Sequence, residues 1–106
     1  MPVRFLISTL KAGVDPAEYE AWVRERDYAL VKSLPNYRSY KVHRIRGPVP
    51  GEGHGGWQYI ERIEVASLEQ HDRDLASPEG VKLREELYGR FLERSKNIYF
   101  ASDEIE

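Results

Sequence analysis

The sequence predicts an α+β domain in which two helices cover one face of a four-stranded antiparallel sheet. Three observations carry this. Short stretches rich in branched and aromatic residues alternate with amphipathic ones in the order strand, helix, strand, strand, helix, strand. Each helix start carries an N-cap residue followed by proline or by a glutamate or glutamine at the capping-box position. The length, 106 residues with 41% apolar and 32% charged side chains, suits one ordinary globular core over residues 1–106.

Residues 3–11 (VRFLISTLK) are short, branched and apolar, the mark of a strand, and Ala12-Gly13 ends it. Asp15-Pro16-Ala17-Glu18 then opens a helix that Pro35 closes. At about 100° per residue, Tyr19, Val23, Leu30 and Leu34 form its inner stripe, flanked by Trp22 and Val31, and Tyr28 falls on the opposite side. Residues 37–46 (YRSYKVHRIR) and 57–65 (WQYIERIEV) read as the second and third strands, the latter with Trp57, Tyr59, Glu61, Ile63 and Val65 on one face. The loop between them, residues 47–56, holds five of the eight glycines and is long for a hairpin. Ser67-Leu68-Glu69-Gln70 caps a short helix ending near Ser77, and Ser77-Pro78 opens another with Val81, Tyr88, Phe91 and Leu92 facing inward. Residues 97–105 return to strand character. This is the ferredoxin-like, or split βαβ, order. It leaves one sheet face bare, and Leu6, Leu10 and Ile60 beside Arg4, Arg62 and Glu64 make that face too apolar to stay wet. Two such faces packed together close a dimeric α/β barrel, so a homodimer is expected.

Sixteen basic against eighteen acidic residues give a net charge of −2, which offers no pull toward nucleic acid or an anionic membrane. With no cysteine there is no disulfide framework, thiolate metal site or cysteine nucleophile. No apolar run is long enough for a membrane span or a signal segment, so a cytoplasmic protein is expected. Gly51, Gly53 and Gly56 spell G-x-G-x-x-G but precede a strand, where no helix N-terminus could hold a pyrophosphate. Residues 55–60 echo an RNA-recognition strand only faintly, without its basic first position and final aromatic.

Several segments together resemble the RedY-like, or HapK-like, proteins of the dimeric α/β-barrel superfamily, which are associated with prodiginine and bisindole pigment biosynthesis. They are Gly13-Val14 after the first strand, Trp22-Val23-Arg24-Glu25-Arg26-Asp27-Tyr28, Leu34-Pro35, Tyr59-Ile60-Glu61 with Ile63-Glu64-Val65, and Ala76-Ser77-Pro78-Glu79. The resemblance implies a cavity between helices and sheet that takes a small aromatic compound without metal, flavin or haem. A scaffold dimer on this fold would hold an unstable intermediate for other biosynthetic enzymes as partners. The plant polyketide cyclases of the wider superfamily carry histidines where this chain has Tyr59 and Ser77 or its neighbours, so their acid/base pair does not transfer.

The chemistry-bearing candidates are few. Arg26 and Asp27 bracket the apolar stripe of the first helix: they either reach outward as an ion pair, or Asp27 projects inward as a base or as the orienter of a second group. Glu61 shares a strand face with Trp57, Tyr59, Ile63 and Val65. If that face meets the helices, burial raises its pKa toward the range useful for proton transfer, unless it pairs with Arg84 or Arg26. Arg84 lies within the stripe of the last helix. His43 is the one strand histidine and an obvious acid/base group, in a strand whose alternation is ambiguous. His71 on the polar short helix reads as ordinary, and His54 matters only if its loop closes as a lid. Three histidines this far apart show no metal spacing. The expected catalytic set is therefore Asp27, His43, Tyr59 and Glu61, with Phe5, Trp22, Arg26, Trp57, Arg84 and Tyr88 positioning the substrate. The leading expectation is a cofactor-free cyclase of an indole- or pyrrole-derived intermediate. The competitors are a cofactor-independent monooxygenase of phenols, which would consume oxygen, and a non-catalytic binding or scaffold dimer.

Overall fold

The structure, a computed structural model, describes residues 1–53 and 55–106, so the lid considered for His54 lies outside the described residues. Strands β1 (Val3–Ser8), β2 (Tyr37–Arg44), β3 (Tyr59–Val65) and β4 (Ile98–Ser102) form one sheet in the order β2-β3-β1-β4, each neighbouring pair antiparallel. Helix α1 (Pro16–Trp22) runs through a π-helical turn (Val23–Asp27) into α2 (Tyr28–Lys32). Helices α3 (Leu68–Ala76) and α4 (Pro78–Glu86) follow β3, and a second π turn (Leu87–Phe91) extends α4. This is the ferredoxin-like arrangement. The starts form as the capping signals require: Asp15 accepts from the Ala17 amide at 2.9 Å, Ser67 from Gln70 at 3.1 Å and Ser77 from Gly80 at 3.1 Å.

The register sets what faces the helices. Leu6 pairs with Glu61 and with Tyr99, and Glu61 with Val42, so these four side chains stand abreast on one face. Above them Tyr19, Trp22, Val23, Leu87, Phe91 and Leu92 close the core. Tyr19 is fully buried, edge-on to Tyr59 at 4.7 Å between centroids.

Several expectations are corrected. On β1 the two faces are exchanged: Leu6 and Leu10 belong to the core, and Phe5 turns to the outer face, 5.8 Å from Phe100. A strand that is apolar on both sides carries no frame of its own, and pairing with β3 supplies one. Val81 is 40% exposed, because α4 turns Gly80, Leu83 and Arg84 inward instead, and the π turn after it adds Leu87. Tyr28 is not on a solvent face: its ring packs on the core and its hydroxyl accepts the Val42 amide at 2.9 Å. The π turn before it inserts an extra residue, which rotates everything beyond Val23 away from the 100° wheel. Trp57 precedes β3 rather than extending it, its indole N–H bonded to the Lys96 carbonyl at 3.0 Å. Among the described residues no helix is long and apolar enough to cross a membrane.

Candidate functional site

A cavity lies between the helices and the sheet, floored by Leu6, Glu61, Ile63 and Tyr99 and roofed by Leu30, Val31, Leu34, Leu83 and Leu87. Asp27, Tyr37, Tyr40, His71, Asp74, Leu75, Gly80, Arg84 and Tyr88 complete its wall. It leaves about 60 Å³ in which the centre of a water molecule can sit, several times the ~10–15 Å³ that one water needs. The walls are mostly aliphatic and aromatic with a few convergent polar groups, the usual build of a small-molecule site.

Two carboxyl groups are sealed into it. Asp27 is 4% exposed and Glu61 3% exposed. The π turn aims Asp27 inward, where its Oδ2 accepts the Tyr40 hydroxyl at 2.6 Å. Glu61 is placed by strand alternation, and its Oε1 has no hydrogen-bond partner. Neither arginine considered as its partner reaches it: Arg26 pairs with Glu86 at 2.6 Å, and Arg84 makes no ion pair among the described residues. Burial raises the Glu61 pKa strongly, the neighbouring Asp27 charge raises it further, and the Tyr40 and Tyr19 hydroxyls temper the rise. Neither hydroxyl closes a hydrogen bond on it, since Tyr40 is committed to Asp27 and the Tyr19 hydroxyl stands unpaired. Asp27 is raised less, burial being opposed by its bond from Tyr40. As pH rises Asp27 ionises first and Glu61 keeps its proton longer. Such a pair of unlike carboxyls separates the proton carrier from its fixed neighbour.

Of the residues singled out in the sequence, Asp27, Glu61, Arg84 and Tyr88 come together on the cavity. The others lie elsewhere. His43 is exposed on β2, on the opposite face from Val42, because it pairs with Ile60 while Val42 pairs with Glu61. Tyr59 is buried beside the core, its hydroxyl donating to Glu20 at 2.7 Å, and Glu20 is in turn paired with Arg44. Trp22 sits in the core with its indole N–H on Glu86, Arg26 is at the surface, Phe5 faces outward and Trp57 is tied to the turn that precedes β4.

Four wall residues escaped the sequence reading. Tyr40, Tyr37 and His71 form a row of edge-on rings, with centroids 5.9 Å and 5.2 Å apart, and Tyr99 stands across from them. His71 carried a usable signal: Leu68, His71 and Leu75 recur at helical spacing in an otherwise polar helix. Tyr40 carried none until β2 was registered against β3. Among the described residues no group of three His, Cys, Asp or Glu side chains could hold a metal ion.

Comparison with known proteins agrees with this architecture. HapK from Hahella chejuensis superposes with a TM-score of 0.78 at 21% identity, over 99% of this chain and 93% of that one. At3g17210 from Arabidopsis thaliana gives 0.81 at 17% identity, over 100% and 97%. A dimeric ferredoxin-like protein of unknown function from Thermobifida fusca gives 0.71 at 11% identity, over 98% and 92%. No curated protein matches the chain. The family model described as REDY-like protein HapK matches residues 2–105, and the chain belongs to that family.

Proposed function

We propose that the protein is a cofactor-independent enzyme that moves a proton on a small aromatic compound. Its substrate class is the indole- or pyrrole-derived intermediate of bisindole or prodiginine-type biosynthesis, which it cyclises or couples. One observation carries this reading: Glu61, buried at the floor of an apolar cavity with its Oε1 lacking any hydrogen-bond partner, and backed by a second carboxylate. A carboxyl whose pKa is lifted toward neutrality serves equally as acid and as base, which is where general acid–base catalysis works best. Asp27 is a positioning residue in this scheme. Held by Tyr40, it keeps a negative charge beside Glu61 and thereby keeps the Glu61 proton on. The aromatic rings of Tyr37, Tyr40, Tyr88 and Tyr99 give the flat walls that a heterocycle stacks on.

The test is solvent exchange on a simple aromatic probe, phenylacetone, whose benzylic C–H is made acidic by the adjacent carbonyl. In D₂O the wild-type protein is expected to speed loss of the benzylic proton signal, with a rate that rises with pH as Glu61 ionises. Asp27→Asn removes the neighbouring charge, so the rise should move to lower pH. Glu61→Gln with an unchanged exchange rate would refute the reading and favour a binding dimer.

The same reading includes a homodimer built through the outer sheet face, where Phe5, Ile7 and Ile60 are flanked by Ile98 and Phe100, 39% and 42% exposed. Related folds described as dimeric support it. Sedimentation should give twice the chain mass at micromolar concentration, and Phe100→Glu should give the single chain by burying a charge in that face. A monomeric wild type would rule the dimer out.

A further inference from the structure

His71 is fully buried in the cavity wall, and one of its nitrogens is spoken for. Arg4 Nη1 lies 2.8 Å from Nδ1. A guanidinium only donates, so Nδ1 accepts and the proton of the neutral ring sits on Nε2. Nε2 has no partner. A buried N–H left unbonded is destabilising, and a ligand acceptor in the cavity removes that cost. Burial and the Arg4 charge push the ring's pKa down to about 4, opposed by Asp72 and Asp74 and helped by Arg84. The ring is therefore a neutral donor throughout the neutral range.

The charges around it choose the ligand. Among the described wall residues three carboxyls, Asp27, Glu61 and Asp74, face one cation, Arg84, and Asp74 Oδ2 is itself unpaired. A ligand carrying a full negative charge is poorly matched to such a wall. A neutral carbonyl is well matched to a neutral donor, which strengthens its grip as charge develops on the oxygen.

We propose that His71 Nε2–H holds the carbonyl oxygen of a neutral carbonyl compound in the cavity and stabilises the enolate formed when Glu61 takes a proton from the adjacent carbon. The C–H bond breaks, its proton passes to the Glu61 carboxylate, and the electron pair forms the C=C bond while the oxygen takes the negative charge. Return of the proton to a different carbon completes an isomerisation; alternatively the enolate carbon attacks a second carbonyl carbon of the compound, whose C=O π pair moves to its oxygen and takes the proton back from Glu61, closing a ring with no oxidant. The inference rests on Glu61 acting as proposed above, and its own failure is separable.

The experiment uses the full-length protein with phenylacetone. His71→Leu is expected to slow exchange about 10²–10³-fold, while His71→Gln, which restores a neutral N–H, recovers much of that loss. If Glu61→Gln abolishes exchange and His71→Leu does not slow it, the proton carrier stands and the role of His71 falls. If Glu61→Gln leaves exchange untouched, the functional reading itself falls. A second readout needs no variant. In ¹⁵N-labelled wild type, the Nε2–H proton signal of His71 should move downfield on adding phenylacetone. A ring protonated on Nδ1, one titrating near pH 6.5, or a signal unmoved by bound probe would overturn the assignment.

Discussion

Glu61→Gln is expected to cut proton exchange by about 10²–10⁴-fold and, at the same time, to make the fold more stable above neutral pH. The two effects have one origin. Glu61 is buried with an unpaired oxygen beside a second carboxyl, so the folded chain prefers it protonated. In the unfolded chain it ionises at the ordinary glutamate value. As pH rises past that value the unfolded state releases the proton while the folded state still holds it, so the folded state binds more protons and stability falls. The fall runs from the ordinary glutamate pKa up to the raised folded one and is complete beyond it. Each unit between the two is worth about 1.4 kcal/mol.

Glutamine has nearly the same shape and does not ionise, so its stability curve lacks that decline. Urea denaturation should find the variant close to wild type near pH 4 and distinctly more stable near pH 9, about 1 kcal/mol or more. A variant that is less stable at alkaline pH would mean that Glu61 is paired when ionised, and the acid/base reading would go with it. This crossing of activity and stability is the usual mark of a site that holds an uncomfortable group for its chemistry.

The architecture was legible because its punctuation is local. Asp15-Pro16, Ser67 with Gln70, and Ser77-Pro78 each satisfy helix-start amides within a few residues, and no tertiary contact is needed to predict them. Glu61 was legible for a similar reason, since alternation with Tyr59 and Ile63 on a clear strand assigns its face. Asp27 was half legible: the wheel put it at the border of the stripe, and the π turn, invisible in the sequence, carries it inside. What could not be read were the faces of β1 and β2. Leu6 against Phe5, and Tyr40 against His43, are decided by hydrogen-bond register with β3, a non-local quantity. The error on β1 sent Phe5 to the pocket, and the ambiguity on β2 put His43 among the catalytic candidates while concealing Tyr40. His71 was passed over because a polar helix hides its one inward polar ring.

Gly80→Ala is expected to destabilise the protein by about 1–3 kcal/mol, against the helix propensity that favours alanine by about 1 kcal/mol. Ser77 alone joins α3 to α4, its hydroxyl donating to the Asp74 carbonyl at 2.7 Å and accepting the Gly80 amide at 3.1 Å. A one-residue joint brings the first turn of α4 against the last carbonyls of α3. A Cβ on Gly80 would overlap the Asp74 carbonyl oxygen and stand 2.9 Å and 3.0 Å from the Leu75 oxygen and carbonyl carbon. Both neighbours are backbone, so no rotamer change relieves the clash; the helices must part. Asp74, Leu75 and Gly80 also line the cavity, so parting them widens the wall that carries His71 and Arg84. Urea denaturation gives the first result and phenylacetone binding the second: a lower midpoint with weakened binding is expected. An alanine variant as stable as wild type would show that propensity outweighs the contact, and that the α3–α4 joint has slack the structure does not display.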